Sequence, residues 1–268
     1  MRNFLISTTI VMTKHLLFLA VLVIACTSCR FSHTSDSATC KEPEGLELPS
    51  YDESEHVIAY SGFTVSYNHK TLIPNWVAYE LTAEDLEVRY ASKSSSFSMD
   101  MNLQGRQAMR EDYSHSGWDK GHMAPKADMR WSEQAYWESH YFTNICPQDH
   151  GLNAGDWNSL EKKIREWAMK YGKVYVVCGP IIDEAKYGTI GRNRVAIPDK
   201  FFKAVLVNDG GSYSAVAYVM ENNSKHHNLK NYIYTVDELE AMIGRNLFEA
   251  LDAIGGETVE GSVKEETW

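Results

Sequence analysis

Basic residues are in short supply. The chain's 26 lysines and arginines face 36 aspartates and glutamates, a formal net charge of −10. That balance argues against a protein that coats nucleic acid through bulk positive charge. Long apolar stretches are missing too. The run Leu16 to Ala25 holds ten residues, too few for a bilayer-spanning helix. Cysteine is scarce, five in 268 residues, with neither paired CxxC motifs nor a Cys/His zinc spacing, which removes the small zinc-stapled classes. No HExxH spacing offers a zinc protease site, and no internal repeat suggests a solenoid. What remains is 44% hydrophobic content over 268 residues, enough to bury a full core in one or two domains.

The short apolar run has the length of a signal-peptide core, with Lys14 as its positive flank and Met12 as an alternative start. It ends Val23-Ile24-Ala25-Cys26, a pattern similar to a bacterial lipobox, in which the cysteine becomes the lipidated first residue. Residues 1–25 are therefore expected to direct export. The product would be periplasmic, held at the outer membrane through lipidated Cys26, or free and extracellular after ordinary cleavage. Two or more acyl chains make a stable anchor. Residues 26–56 are polar and aperiodic and read as a flexible linker. Cys29 and Cys40 lie inside it, able to pair in an oxidising compartment or to stay free. A globular domain is expected over 57–254, followed by an acidic tail over 255–268. Linker and tail hold most of the excess acid, seven acids against two bases and four against one, so the domain itself is near −4.

Within the domain, Val57–Tyr60, Phe63–Tyr67 and Trp76–Tyr79 read as strands. Val174–Cys178, ended by Gly179-Pro180, is a buried strand by length and β-branching. Phe201–Val207 and Tyr213–Met220 flank Asn208-Asp-Gly-Gly-Ser, a hairpin signal. Trp157, Leu160, Ile164, Trp167 and Tyr171 fall at the three-four spacing of an amphipathic helix stopped by Gly172. Thr235 and Glu238 form a capping box ahead of a final helix reaching Leu251. Cys146 and Cys178 sit in apolar settings and read as buried thiols, with a disulfide between them as the alternative. Strands before, between and after long helices give an α+β class.

One stretch fits neither element well: Ser116 to Arg130, SGWDKGHMAPKADMR. Gly121 allows an unusual backbone angle, and Pro125 removes an amide donor and pushes Ala124 towards extended geometry. His122 is thus expected at a strand end or on a rigid turn, where an imidazole suits proton transfer near neutral pH. A lone histidine is more often a surface turn residue. A second polar cluster, Tyr141 to Arg165, changes that balance. Asn153 lies one turn before Trp157, where an asparagine usually caps a helix. Glu161 and Arg165 flank the apolar stripe at the spacing of an ordinary surface pair. Together the two clusters supply a histidine, a neutral oxygen ligand, a carboxylate and a guanidinium, the inventory for cleaving a phosphodiester with a hard metal ion.

The DKGHMAP, TNICPQ and NAGDWNSLE segments resemble the DNA/RNA non-specific endonucleases. The signature of that family is DRGH followed by N-x-x-x-W-x-x-x-E, and it is a branch of the His-Me finger (ββα-metal) nucleases. The likeness extends over roughly residues 57–252. It implies a central antiparallel sheet with helices on both faces, and hydrolysis of DNA and RNA to 5′-phosphate products. It implies one Mg²⁺, replaceable by Mn²⁺, ligated by Asn153, with His122 as general base and Glu161 orienting water around the ion. Arg165 and Lys120 would contact phosphate, and Asp119 and Asn144 would fix the loop and the imidazole. Two departures stand out. Lys120 replaces the usual arginine, keeping the charge but losing the bidentate fork. Serines also replace an arginine ahead of Phe97 and Asp100, where Lys93 or Arg89 stands in or the phosphate contact is absent. Two rival readings remain: a surface protein of the same fold that binds nucleic acid without turnover, and a zinc hydrolase drawing on His115, His122, His140 and His150. No exposed pattern fixes an oligomeric state.

Overall fold

The computed structural model describes residues 42–90, 96–264 and 267–268. In chain order the elements are β1 (His56–Ala59), β2 (Thr64–Asn68), β3 (Ile73–Thr82), α1 (Ala83–Glu87), α2 (Arg110–Tyr113), β4 (Asp119–His122), α3 (Glu133–Glu138), β5 (Ile145–Gln148) and α4 (His150–Leu152). A π-helical turn over Asn153–Trp157 leads into α5 (Asn158–Tyr171). Then come β6 (Lys173–Ile181), β7 (Thr189–Ile190), β8 (Val195–Ala196), β9 (Lys200–Asp209), β10 (Ser212–Glu221), β11 (Ile233–Tyr234), α6 (Val236–Ile243), α7 (Glu249–Asp252) and α8 (Glu257–Glu260).

Seven strands form an antiparallel sheet in the order β1-β2-β3-β6-β9-β10-β11. Its central strands are buried on both sides, so their sequences are almost continuously apolar, and period-two alternation sorts each residue to a face. Along β9, Phe201, Val205 and Val207 join the core under α5, with Leu160, Ile164 and Trp167. Phe202, Ala204 and Leu206 join the opposite core, with Val236, Leu239, Phe248 and Leu251. Helices therefore cover both faces, as the α+β reading expects. β4 and β5 form a separate two-stranded ribbon, and with α5 they make the ββα unit.

Three boundaries differ from the sequence expectation. The compact unit runs from Glu42 to Trp268. Leu46 is fully buried, and Glu55 accepts hydrogen bonds from Ser66 and Trp76. The second half of the expected linker is thus packed on the body; composition did not reveal it because a few anchoring side chains suffice. The tail is also engaged: Trp268 meets Trp167 edge-on at 4.8 Å. The final helix stops at Gly244, whose φ of 67° caps α6, and the chain restarts as α7 after Phe248. The expected capping box at Thr235 and Glu238 is present. Cys146 and Cys178 are buried free thiols, and burial pushes both pKa values up.

Gly121 is needed for a reason other than backbone freedom. Its φ is not positive. A Cβ there would stand 2.6 Å from Cβ of Gln148 on the paired strand, so glycine lets β5 approach. Gly121→Ala is expected to cost about 1–3 kcal/mol through overpacking, read as a lower urea midpoint; an unchanged midpoint would show that the ribbon yields freely.

Candidate active site

β4 ends on His122, so the imidazole sits at a strand terminus. The chain is held there from several sides. Asn144 accepts a hydrogen bond from the Ala124 amide at 2.9 Å and donates to the carbonyls of Ala124 and Ser139, both at 2.9 Å. The carbonyl of His122 accepts from the indole of Trp157 at 3.3 Å. The carbonyl of Met123 accepts from the ammonium of Lys203 at 2.9 Å. The ring packs against Phe97, at 5.3 Å between centroids, and edge-on against His140 at 5.1 Å. Its Nε2 is buried without a hydrogen-bond partner. Burial first, then the neighbouring His140 and Lys126, hold the imidazole pKa down at about 3. The ring is therefore neutral across the physiological range.

Asn153 does not cap the helix. Asp149 does, accepting from the amides of Gly151 and Leu152. Asn153 opens the π-helical turn, in which Gly155 departs from helical geometry at φ −100° and ψ −106°. Such turns are frequent at functional sites. A loop braces this one: Asp156 accepts from Tyr232 Oη at 2.6 Å and from the His227 amide at 2.9 Å. The Asn153 side chain donates from Nδ2 to Asp119 Oδ2 at 2.9 Å. A carboxamide whose NH₂ is so engaged presents its oxygen elsewhere.

Glu161 and Arg165 are not a surface pair. Arg165 Nη1 donates to Asp128 Oδ1 at 2.6 Å, and the Asp128 side chain is fully buried. Tyr79 donates to the other oxygen of Asp128. Glu161 lies beside Lys203, Asp128 and Arg165, and burial pushes its carboxyl up to about 7, with Lys203 the main opposing influence. Two carboxyls and two bases thus cluster at this wall of the site.

Lys120, His122, Asn153, Glu161 and Arg165 all line one cavity of about 310 Å³, together with Phe97, Lys126 and Asn158. Asp119 and Asn144 support its walls from behind. The Lys120 ammonium stands 5.6 Å from the ring centroids of both Phe97 and Tyr113. Lys93 lies outside the described residues. Arg89 is exposed and does not line the cavity. A larger hollow of about 540 Å³, between Trp167, Tyr218 and Trp268, contains none of the expected site residues. The sequence reading missed Lys126, Asn158, Asp128 and Lys203. Of these Lys203 left a visible trace, a charge inside the apolar run FFKAVLV, which in a buried strand demands a partner. Of the four histidines of the zinc reading, His122 and His140 lie together, but none of the four belongs to a three-residue ligand group among the described residues. Among the described residues, the three-residue group of possible ligands with atoms within 4.8 Å is Asp237, Glu240 and Glu260.

The family model for DNA/RNA non-specific endonucleases matches residues 47–254. The chain belongs to this family. It is 36% identical over 207 residues to the mitochondrial nuclease EXOG of Danio rerio, covering 72% of this chain and 60% of that protein. It is 34% identical to the mitochondrial endonuclease G of Homo sapiens, covering 60% of this chain and 58% of that one. The chain thus spans about three fifths of the length of these relatives. A solved structure of an EndoG/EndoGI complex, described as showing the mechanism of EndoG inhibition, superposes with a TM-score of 0.70 at 28% identity, covering 76% of this chain and 89% of that one. A further relative, nuclease 1 of Schizosaccharomyces pombe, is again named as mitochondrial. These names overturn the expectation of an exported, lipidated protein; Cys26 and the rest of residues 1–41 lie outside the described residues.

The buried carboxyl generates a stability test. A folded pKa of about 7, above the ordinary 4.5, means that the native state keeps a proton which the unfolded chain releases. Stability therefore falls as pH rises through that window. Glu161→Gln, in chelator, is expected to flatten the slope and to exceed wild type above pH 7 by up to about 3 kcal/mol, at 1.36 kcal/mol per pKa unit. Urea unfolding at pH 5.5 and 8 checks this, and a wild type equally stable at both would contradict it.

Proposed function

We propose that this chain hydrolyses phosphodiester bonds of DNA and RNA, using a hard divalent cation held at Asn153. The observation that carries this reading is the convergence of His122, Asn153, Glu161, Arg165 and Lys120 on a single cavity. The donor set fits such an ion: a carboxamide whose NH₂ is tied to Asp119, near a carboxyl whose pKa burial pushes up to about 7. Oxygen donors without thiolates suit magnesium or manganese. When bound, Mg²⁺ would supply positive charge against the phosphate oxygens during in-line displacement.

The chain's own groups do the rest. His122, neutral at working pH, takes a proton from the attacking water. We assign that role to Nδ1, because Nε2 is enclosed by protein and keeps the ring's own proton. Asn144 fixes the strand end and hence the direction of the ring. Lys120 and Lys126 face the cavity as point charges for the phosphate. Arg165, with one amino group given to Asp128, contributes field and shape more than a free two-pronged grip. Glu161 would orient water beside a bound cation, whose charge would favour the ionised carboxylate. Contacts to backbone rather than base edges give no sequence preference, and both nucleic acids serve as substrates with 5′-phosphate products. The packed unit over residues 42–268 is itself acidic, 22 lysines and arginines against 35 aspartates and glutamates, so the phosphate is met by the local charge of Lys120, Lys126 and Arg165 in one cavity.

A plasmid-nicking assay tests the reading. His122→Ala is expected to slow cleavage by about 10²–10⁴-fold, the usual worth of a general base. Asn153→Ala is expected to abolish metal-stimulated cleavage. After chelation, Mg²⁺ or Mn²⁺ but not Zn²⁺ should restore activity. Equal cleavage by wild type and His122→Ala would support a binding protein of the same fold instead.

A further inference from the structure

Beside Asn153 and its partner Asp119 lies a histidine, His150, that the mechanism above does not use. Asp119 opens β4 and pairs across the ribbon with Gln148, the last residue of β5. The next turn of chain, capped by Asp149, begins α4 with His150. His150 and Asn153 are three residues apart on one helical surface, so their side chains project the same way. Both reach the same atom. His150 Nδ1 stands 2.8 Å from Asp119 Oδ2, and Asn153 Nδ2 stands 2.9 Å from it.

The chemistry of that arrangement is directional. A free asparagine can turn either its oxygen or its NH₂ towards a cation, and only the oxygen binds. An ionised carboxylate is acceptor-only, so Asp119 can hold only the NH₂ end and thereby selects the ligating orientation. Asp119 must itself be held. Its side chain is 34% exposed, and with Asn153 as its sole anchor the carboxylate would be free to rotate or to swing towards the cation. A second donor on the same oxygen fixes it. The imidazole supplies that donor through an N–H at Nδ1.

Resting on the reading that Asn153 holds the cation, we propose that His150 is a positioning residue: through Asp119 it fixes the carboxamide of Asn153 with its oxygen presented to the metal. His150 touches neither metal nor substrate. Its side chain is 80% exposed, and an exposed pair of this kind contributes little to folding. Loss of the imidazole should therefore be felt in metal affinity and not in stability.

The test measures Mn²⁺ binding to the chelator-treated full chain by titration calorimetry, without nucleic acid, alongside the thermal midpoint of each apo protein. His150→Ala is expected to weaken Mn²⁺ binding by about tenfold, within the range typical of groups that orient a ligand, with an unchanged apo midpoint. His150→Asn, which places an amide NH₂ near the position of Nδ1, is expected to recover most of the affinity. Wild-type affinity in His150→Ala, or no recovery in His150→Asn, overturns the positioning role while leaving Asn153 as the ligand. Asn153→Ala binding Mn²⁺ as tightly as wild type overturns the metal reading itself, and the inference with it.

Discussion

Two backbone carbonyls, those of His122 and Met123, hold the structure's functional part in place. A two-stranded ribbon is not stable by itself, and β4 stops where its carbonyls need donors from elsewhere. The Trp157 indole fills one, and the Lys203 ammonium and the Cys178 thiol fill the other. Those donors come from the helix start, from β9 and from β6. A single corner of chain thus pins the ribbon to the helix on one side and to the central sheet on the other. The position of the imidazole follows from that junction more than from any contact of the ring.

Lys203 shows how the junction and the electrostatics are one device. Its ammonium caps a carbonyl and stands 4.4 Å from the Trp157 ring centroid, yet it also offsets the buried Glu161. A lysine this deep is tolerated because each of its roles meets a group that needs it. Asp128 does the same for Arg165 from the loop that follows Pro125. The cluster sets two carboxyls among two bases, so each buried charge lies beside an opposite one.

Much of this was readable from residue spacing. The amphipathic stripe from Trp157 to Tyr171 and the apolar runs of β6, β9 and β10 reflect burial periods, which sequence records directly. His122 at a strand end followed from the glycine and proline around it, though Gly121 serves inter-strand approach and not an unusual angle. That Asn153 opens a π-helical turn instead of an ordinary helix start was not legible, because the loop over 222–232 that braces this turn is remote in sequence. Asp128 and Arg165 lie 37 residues apart, and nothing local joins them. The packing of residues 42–56 was hidden for the same reason: Leu46 and Glu55 act as isolated anchors in a polar stretch.

The two sealed thiols have a practical consequence. Cys146 belongs to the ribbon and Cys178 to the central sheet, and neither can meet an alkylating reagent until its own strand opens. Peptide-resolved labelling rates at these positions would time the opening of ribbon and central sheet as two separate clocks on one unaltered molecule.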